Sequence, residues 1–221
     1  GVAKEHAWTL TSGDSKNNYI YAERLNAQGQ YSFNGGLHAL DCRAEVIAVR
    51  GSAPLVRPVC ESVHGPVVAS VPGVVFTLKT SVRGFEVQGM EAFHGMMRAR
   101  SYREFERALR EAVYNLNVVY ADARGNIAYW HVGRIPVPAE TDNVWLPHDG
   151  SGSAEWRGLV PFAELPHALN PSQGWLASWN NKPSAGWTET PHRMRPAGAR
   201  RARAAAASRS HPEYPEPRLR D

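Results

Sequence analysis

The sequence contains no long hydrophobic run and no internal repeat. Of its 221 residues, 43% are hydrophobic and 21% are charged, which is close to the composition of ordinary globular proteins. No apolar stretch approaches the roughly eighteen residues that a membrane-spanning helix needs. Residues 1–8 include Lys4, Glu5 and His6 and lead into a polar loop, unlike a signal peptide. A protein of membrane helices, a collagen, a coiled coil and a fully disordered chain are therefore excluded.

Excess positive charge is confined to the last thirty residues. The formal net charge is +4, and residues 192–221 hold eight Arg against Glu213, Glu216 and Asp221. This segment has few large apolar side chains, so burial cannot offset its ordering entropy. We expect one folded domain over residues 1–191 and a tail that is disordered or only partly helical. Because no aromatic stacking pattern accompanies the basic residues, we favour a solvated tail over one that binds nucleic acid.

The chain has only two cysteines, Cys42 and Cys60. A hairpin centred near Gly51 would place them on opposite strands, within disulfide reach. Pro54 and Pro58 weaken the second strand of that hairpin, so we favour two separate thiols, with a disulfide as the open alternative. There is no Cys-x-x-Cys pair and the nine His are scattered, so no metal site is expected from spacing.

The chain combines strand patterns with one clear helix. Residues 19–25 alternate apolar and polar, which predicts a strand, and a Gly-containing turn at 122–125 predicts a hairpin over 117–132. Ser101 with Glu104 forms a capping box, after which apolar residues recur at helical spacing as far as residue 116. The Pro-, Gly- and Trp-rich remainder predicts ordered loops. The fold class is therefore α+β with mostly antiparallel strands.

An ordered set of short motifs runs along most of the chain. From the N-terminus they are Trp8, TSG (11–13), ERL (23–25), VHGP (63–66), NVVYADARGNIAYWH (117–131), GRIP (133–136), EWRG (155–158), PF (161–162) and WNNKP (179–183). Over about residues 1–190 this set resembles the large subunit of the penicillin acylase family, which belongs to the N-terminal-nucleophile hydrolases.

The resemblance implies a partial four-layer αββα sandwich from a periplasmic or secreted acylase. It also implies a precursor that cuts itself, and an enzyme that hydrolyses N-acyl amides of the penicillin or N-acyl-homoserine-lactone type. The expected partners are a small subunit, the rest of the large subunit and a small acylated amide, with no membrane and no nucleic acid. The alternative is a non-catalytic module that keeps the fold and binds a ligand or a protein.

Amide hydrolysis needs a nucleophile, a base and donors for the oxyanion. In the class that the chain resembles, one N-terminal Ser supplies its hydroxyl as nucleophile and its α-amine as base, since an α-amine has a pKa of about 7.7–8.0. This chain begins with Gly1 rather than Met or Ser. We therefore expect a processed or cut N-terminus, a missing nucleophile and a fragment that is inactive alone.

The same resemblance implies two oxyanion donors, the side chain of Asn180 and the backbone N–H of Ser12. Both residue types also occur in ordinary loops, where Asn180 would only hold its own turn. The family often carries calcium after the second donor, but here that loop contains Lys16, a cation, so we expect no calcium and no other cofactor.

Four further residues have simpler interpretations. Asp122 is expected to cap the hairpin turn, as Asp often does before Gly. We expect His64 and His131 to be buried or hydrogen-bonded structural residues. Trp179 could line an acyl pocket, but such Trp residues more often pack loops over a sheet.

Overall fold

The computed structural model describes residues 1–139 and 143–187, and the expectations for the tail at 192–221 lie outside this range. The described chain is mostly β-sheet with two helices. The elements in chain order are β1 (His6–Ser12), β2 (Asn18–Arg24), β3 (Gln30–Phe33), β4 (Gly36–Ala39), β5 (Asp41–Ile47), β6 (Leu55–Ser62), β7 (Gly65–Val71), β8 (Val74–Thr80), α1 (Glu86–Arg98), α2 (Tyr102–Leu109), β9 (Leu116–Asp122), β10 (Ile127–Val132), β11 (His148–Asp149) and β12 (His167–Leu169). Among these residues no helix is both long and apolar enough to cross a membrane.

The strands form three sheets. A four-stranded sheet has the order β1-β9-β10-β12, a six-stranded sheet the order β11-β2-β8-β7-β6-β5, and β3 pairs with β4 alone. Each pairing is antiparallel except that of β11 with β2. The prediction of mostly antiparallel strands is confirmed within the described part of the chain.

Both helices pack on one face of the four-stranded sheet. The buried residues of this core are Met96, Ala99, Phe105, Leu109, Val118, Tyr120, Ala128, Trp130 and Val132. Gly95 is needed in α1, since a Cβ there would lie 2.9 Å from the Cβ of Ala108 in α2. The opposite face of the same sheet presents the polar residues Asn117 and His131, both fully buried.

The helix predicted from Ser101 is confirmed at its start but not at its end. The Glu104 N–H donates to Ser101 Oγ over 3.3 Å, and the Glu104 carboxylate accepts from the Arg100 N–H over 2.8 Å. The helix ends at Leu109 instead of continuing to Leu116. Leu116 opens β9, where pairing with β1 and β10 overrides helical propensity.

Cys42 and Cys60 lie directly opposite each other on β5 and β6 and form a disulfide. Our preference for two separate thiols was therefore wrong. Pro58 does not disrupt the pairing, because β6 pairs with β7 only at Glu61 and Ser62. Beside Pro58, β6 is in effect an edge strand, where proline is tolerated.

Candidate oxyanion site

The end of β1 meets the segment that follows β12. The Ser12 N–H donates to Asn180 Oδ1 over 2.9 Å, although the two residues are 168 positions apart. One residue earlier, Thr11 Oγ1 lies 2.6 Å from Ser178 Oγ. Asn180 has a φ of +60°, a left-handed conformation that Asn tolerates better than most residues. The structure thus brings both predicted site residues together, each exposed to solvent.

The contact has a specific chemical geometry. Asn180 Oδ1 lies in front of the Ser12 N–H, where a developing oxyanion would lie if that N–H stabilised it. The amide group of Asn180 carries a donor, Nδ2, on the same carbon as Oδ1. If the Asn180 side chain turned away from the Ser12 N–H, it would vacate this position and could direct Nδ2 towards it from the other side. The Ser12 N–H and Nδ2 would then face one oxygen as two donors.

The backbone after Ser12 is fixed by two asparagines. Asn117 Nδ2 donates to the Ser12 carbonyl over 2.9 Å, and the Gly13 N–H donates to the Asn115 carbonyl over 3.1 Å. The Ser15 N–H also donates to Asn115 Oδ1 over 2.6 Å. Gly13 permits this close approach, because a Cβ there would lie 2.4 Å from Asn115 Oδ1. The peptide group between Ser12 and Gly13 is therefore held from both sides.

A buried polar cluster lies behind this loop. His131 Nδ1 is 2.8 Å from Asn117 Oδ1, and His131 Nε2 is 2.8 Å from Ser15 Oγ. Tyr129 donates its hydroxyl to Asn117 Oδ1 over 2.7 Å, and Trp187 Nε1 donates to Ser15 Oγ over 3.0 Å. Burial lowers the pKa of His131 to about 4. The prediction that His131 is a buried, hydrogen-bonded residue is confirmed.

Ser15, His131 and Asn117 together resemble the serine, histidine and amide groups of some hydrolases. Ser15 is only 6% exposed and its Oγ accepts from Trp187, so no substrate reaches it in this conformation. Sequence reasoning missed the cluster because Ser15 and His131 are 116 residues apart and belong to no common motif.

A second buried network joins four charged or titratable side chains near β2. His64 Nδ1 lies 2.6 Å from Glu23 Oε1, and His64 Nε2 lies 2.8 Å from Glu155 Oε1. Lys79 Nζ lies 2.5 Å from Glu155 Oε2. Burial lowers the pKa of His64, but its hydrogen bonds and attraction to Glu155 and Glu23 outweigh this and raise it overall. The expectation that His64 is a buried structural residue is confirmed.

The same ion pairs act on Glu155. Burial by itself raises the pKa of this carboxyl, but hydrogen bonds from His64 and Lys79 and their charges lower it to about 2. Glu155 is about one third exposed, so solvent screens part of this interaction.

Asp122 caps the hairpin between β9 and β10, as predicted. Its Oδ1 accepts from the N–H groups of Arg124 and Asn126, and its Oδ2 accepts from Asn126 Nδ2, each over 2.9 Å. Trp179 is 37% exposed beside Asn180, and its role in an acyl pocket stays a prediction.

The loop after Ser12 does not fit a calcium ion. The Lys16 ammonium lies over the rings of Tyr19 and Trp145, at 4.8 Å and 5.6 Å from their centroids. A resident cation would repel a calcium ion at this position. Within residues 1–139 and 143–187 no group of three His, Cys, Asp or Glu side chains is arranged to hold a metal.

Comparisons with known proteins identify relatives over four fifths of the chain. The chain is 32% identical over 181 residues to penicillin G acylase from Escherichia coli, covering 80% of the chain and 21% of that protein. It is 31% identical over 186 residues to acyl-homoserine lactone acylase QuiP from Pseudomonas fluorescens, covering 80% of the chain and 22% of that protein. The chain therefore spans about one fifth of the length of these relatives.

A solved structure matches as well. The thermostable penicillin G acylase from Alcaligenes faecalis superimposes with a TM-score of 0.82 at 36% identity, covering 86% of this chain and 35% of that one. The family model for penicillin amidase matches residues 1–211. Since that match includes both Ser12 and Asn180 and most of the chain, the protein belongs to the penicillin amidase family.

Proposed function

We propose that this chain is part of an acylase that hydrolyses N-acyl amide bonds, and that the Ser12 N–H and the Asn180 side chain form its oxyanion hole. The observation that carries the proposal is the 2.9 Å hydrogen bond between these groups. It places a backbone donor and a side-chain amide at one exposed point. Such preorganised donors stabilise the tetrahedral intermediate of acyl transfer.

The nucleophile in this proposal is a Ser at the N-terminus of a chain segment outside the present one. Only an N-terminal residue has a free α-amine to act as base. The one-fifth coverage of the relatives is consistent with parts that lie elsewhere. Those parts would include the small subunit and the rest of the large subunit of a self-cleaving precursor.

The remaining parts would also complete the architecture. We propose that the two helices and the sheets described here belong to a four-layer αββα sandwich, and that the enzyme is periplasmic or secreted. A disulfide between Cys42 and Cys60 supports an oxidising compartment. Cytosolic proteins of most organisms rarely keep such a bond.

The proposed substrates are small acylated amides, of either the penicillin or the N-acyl-homoserine-lactone type. Support comes from relatives named for each reaction that resemble the chain to nearly the same degree, at 32% and 31% identity. Hydrolysis of phenylacetyl and long-chain acyl amides by the complete enzyme would distinguish the two.

Replacing Asn180 by Ala in the complete acylase tests the proposal. We expect kcat for a chromogenic acyl anilide to fall about 10²–10³-fold, the usual cost of losing one oxyanion donor. Asn26→Ala is the matched control, because Asn26 is an exposed Asn that only holds its own turn through Gln28 and Gln30. Equal kcat values for the two variants would mean that Asn180 is not an oxyanion donor. A complete protein that hydrolyses no acyl amide would favour the alternative, a non-catalytic module that binds a ligand or a protein.

The isolated chain provides a separate test of the missing nucleophile. We expect no hydrolysis of the same anilide above a blank without protein. Turnover by the isolated chain would show that this chain supplies its own nucleophile, and Ser15→Ala would then show whether Ser15 is that residue.

A further inference from the structure

The buried cluster behind Ser12 has only one consistent direction of hydrogen bonding. The Ser12 carbonyl can only accept, so the Asn117 atom that faces it must be Nδ2. The other amide atom, Oδ1, therefore faces Tyr129 and His131 as an acceptor. It follows that His131 Nδ1 carries a hydrogen.

The opposite end of the cluster agrees with this direction. Asn115 Oδ1 accepts from the Ser15 N–H, so the Asn115 atom that lies 3.3 Å from His131 Nε2 is the donor Nδ2. Nε2 is then the unprotonated nitrogen of a neutral ring, and Ser15 Oγ accepts from Trp187 Nε1 and donates its own hydrogen to Nε2. A neutral His131 agrees with its complete burial.

One arrangement of donors and acceptors satisfies every hydrogen bond in this series, which runs from Trp187 through Ser15, His131 and Asn117 to the Ser12 carbonyl. We propose that Asn117 and His131 are positioning residues, which hold the Ser12 backbone so that its N–H points at the oxyanion. This inference rests on the proposed oxyanion hole. Asn117 Nδ2 is the side-chain donor through which the cluster reaches the Ser12 carbonyl, and the Gly13 N–H bond to the Asn115 carbonyl holds the other side of the same peptide group.

Positioning residues of this kind act on kcat more than on substrate binding. A displacement of a donor by about 1 Å can cost up to about 10²-fold in rate, while the ground-state amide makes weaker use of the donor. The proposal therefore predicts a fall in kcat at nearly constant KM when the link to Ser12 is cut.

The first variant to measure in the complete acylase is Asn117→Asp. It keeps the shape of the side chain but replaces the donor to the Ser12 carbonyl by an oxygen. We expect kcat for an acyl anilide to fall about 10–10²-fold with KM changed by less than about twofold.

A matched pair of substitutions at His131 tests the direction of these hydrogen bonds. The amide nitrogen of Asn lies close to where His carries Nδ1, so His131→Asn keeps a donor for Asn117. His131→Gln places its amide nearer the position of Nε2 and loses that donor, although both variants remove the ring. We expect His131→Gln to match the kcat loss of Asn117→Asp, and His131→Asn to retain kcat within about threefold.

Tyr129→Phe keeps the proposal falsifiable if the variants at Asn117 or His131 do not fold. It removes one hydroxyl that donates to Asn117 Oδ1 and leaves the ring in place. We expect a fall in kcat of about two- to fivefold at unchanged KM.

Asn180→Ala tests the oxyanion hole separately from the positioning residues. If Asn180→Ala lowers kcat but Asn117→Asp, His131→Gln and Tyr129→Phe do not, the positioning inference is wrong and the oxyanion hole stands. If Asn180→Ala leaves kcat unchanged, the proposed oxyanion hole itself fails. Equal activity of His131→Asn and His131→Gln would also overturn the inference, because the two differ mainly in the donor they offer to Asn117.

Discussion

The ring of Tyr21 lies flat against the ring of His64, with centroids 3.9 Å apart and an angle of 5° between the planes. His64 thus has an aromatic face on one side and carboxylates at both of its nitrogens, from Glu23 and Glu155. Removing it would leave the fully buried Glu23 carboxylate without its cationic partner.

We therefore expect His64→Ala to be strongly destabilising, by about 3–5 kcal/mol, as is typical when one partner of a buried ion pair is removed. Thermal unfolding of the purified protein would measure the loss. Lys79→Met is the control, because Lys79 pairs with the more exposed Glu155. A loss for His64→Ala no larger than that for Lys79→Met would contradict this role.

Two of the buried histidines, His64 and His131, should give opposite pH dependences. The pKa of His64 is raised in the folded state, so its contribution to stability is complete below its unfolded pKa of about 6.5 and is lost as pH rises through the folded value. The pKa of His131 is lowered to about 4, so its contribution is complete above about 6.5 and is lost as pH falls towards 4.

From these two residues we expect the melting temperature to be highest near pH 6.5. Differential scanning fluorimetry from pH 4 to 9 would record the profile. In His64→Gln the decline on the alkaline side should flatten, while the decline on the acid side remains. If the decline on the alkaline side is identical in the variant and the parent protein, His64 is not the cause of that decline.

The disulfide between Cys42 and Cys60 should stabilise the hairpin of β5 and β6. It closes a loop with a sequence separation of 18, for which loop-closure entropy gives up to about 3 kcal/mol. We expect a reductant to lower the melting temperature of the parent protein. The double variant Cys42→Ser with Cys60→Ser should melt at the reduced temperature with or without reductant, and a response of this variant would point to another cause.

The Asp122 cap can be tested by two substitutions. Asp122→Ala removes acceptors for the Arg124 N–H and for the N–H and side chain of Asn126, and a lost hydrogen bond costs about 1 kcal/mol or slightly more. Asp122→Asn keeps one acceptor oxygen and should cost less. Chemical denaturation compares them, and equal losses would mean that the carboxylate does not act as a cap.

The features that were predicted from sequence are those set by neighbours along the chain. Ser101 and Glu104 cap a helix through contacts three or four residues away, and Asp122 caps a turn that it belongs to. The alternation over residues 19–25 correctly predicted a strand, β2, in which Tyr19, Tyr21 and Glu23 are buried. Ser12 and Asn180 were paired only through the family resemblance, since they are 168 residues apart.

The features that were missed depend on tertiary contacts. Helix α1 contains Gly89 and Gly95, which weaken helical propensity, but they let α1 approach Tyr114 and Ala108 closely. The cluster of Ser15 and His131 joins a loop to a distant strand, and no local pattern marks it. The disulfide was not predicted, because the sequence does not show that Pro58 lies in a stretch of β6 that β7 leaves unpaired.

The most direct measurement of the central claim is a crystal structure of the complete acylase with a tetrahedral adduct on its nucleophile. We predict that the adduct oxygen lies about 2.7–3.1 Å from both Ser12 N and Asn180 Nδ2, with the Asn180 amide turned so that Oδ1 no longer accepts from Ser12. An adduct oxygen that contacts neither group, with the bond between Ser12 N–H and Asn180 Oδ1 still in place, would contradict the account.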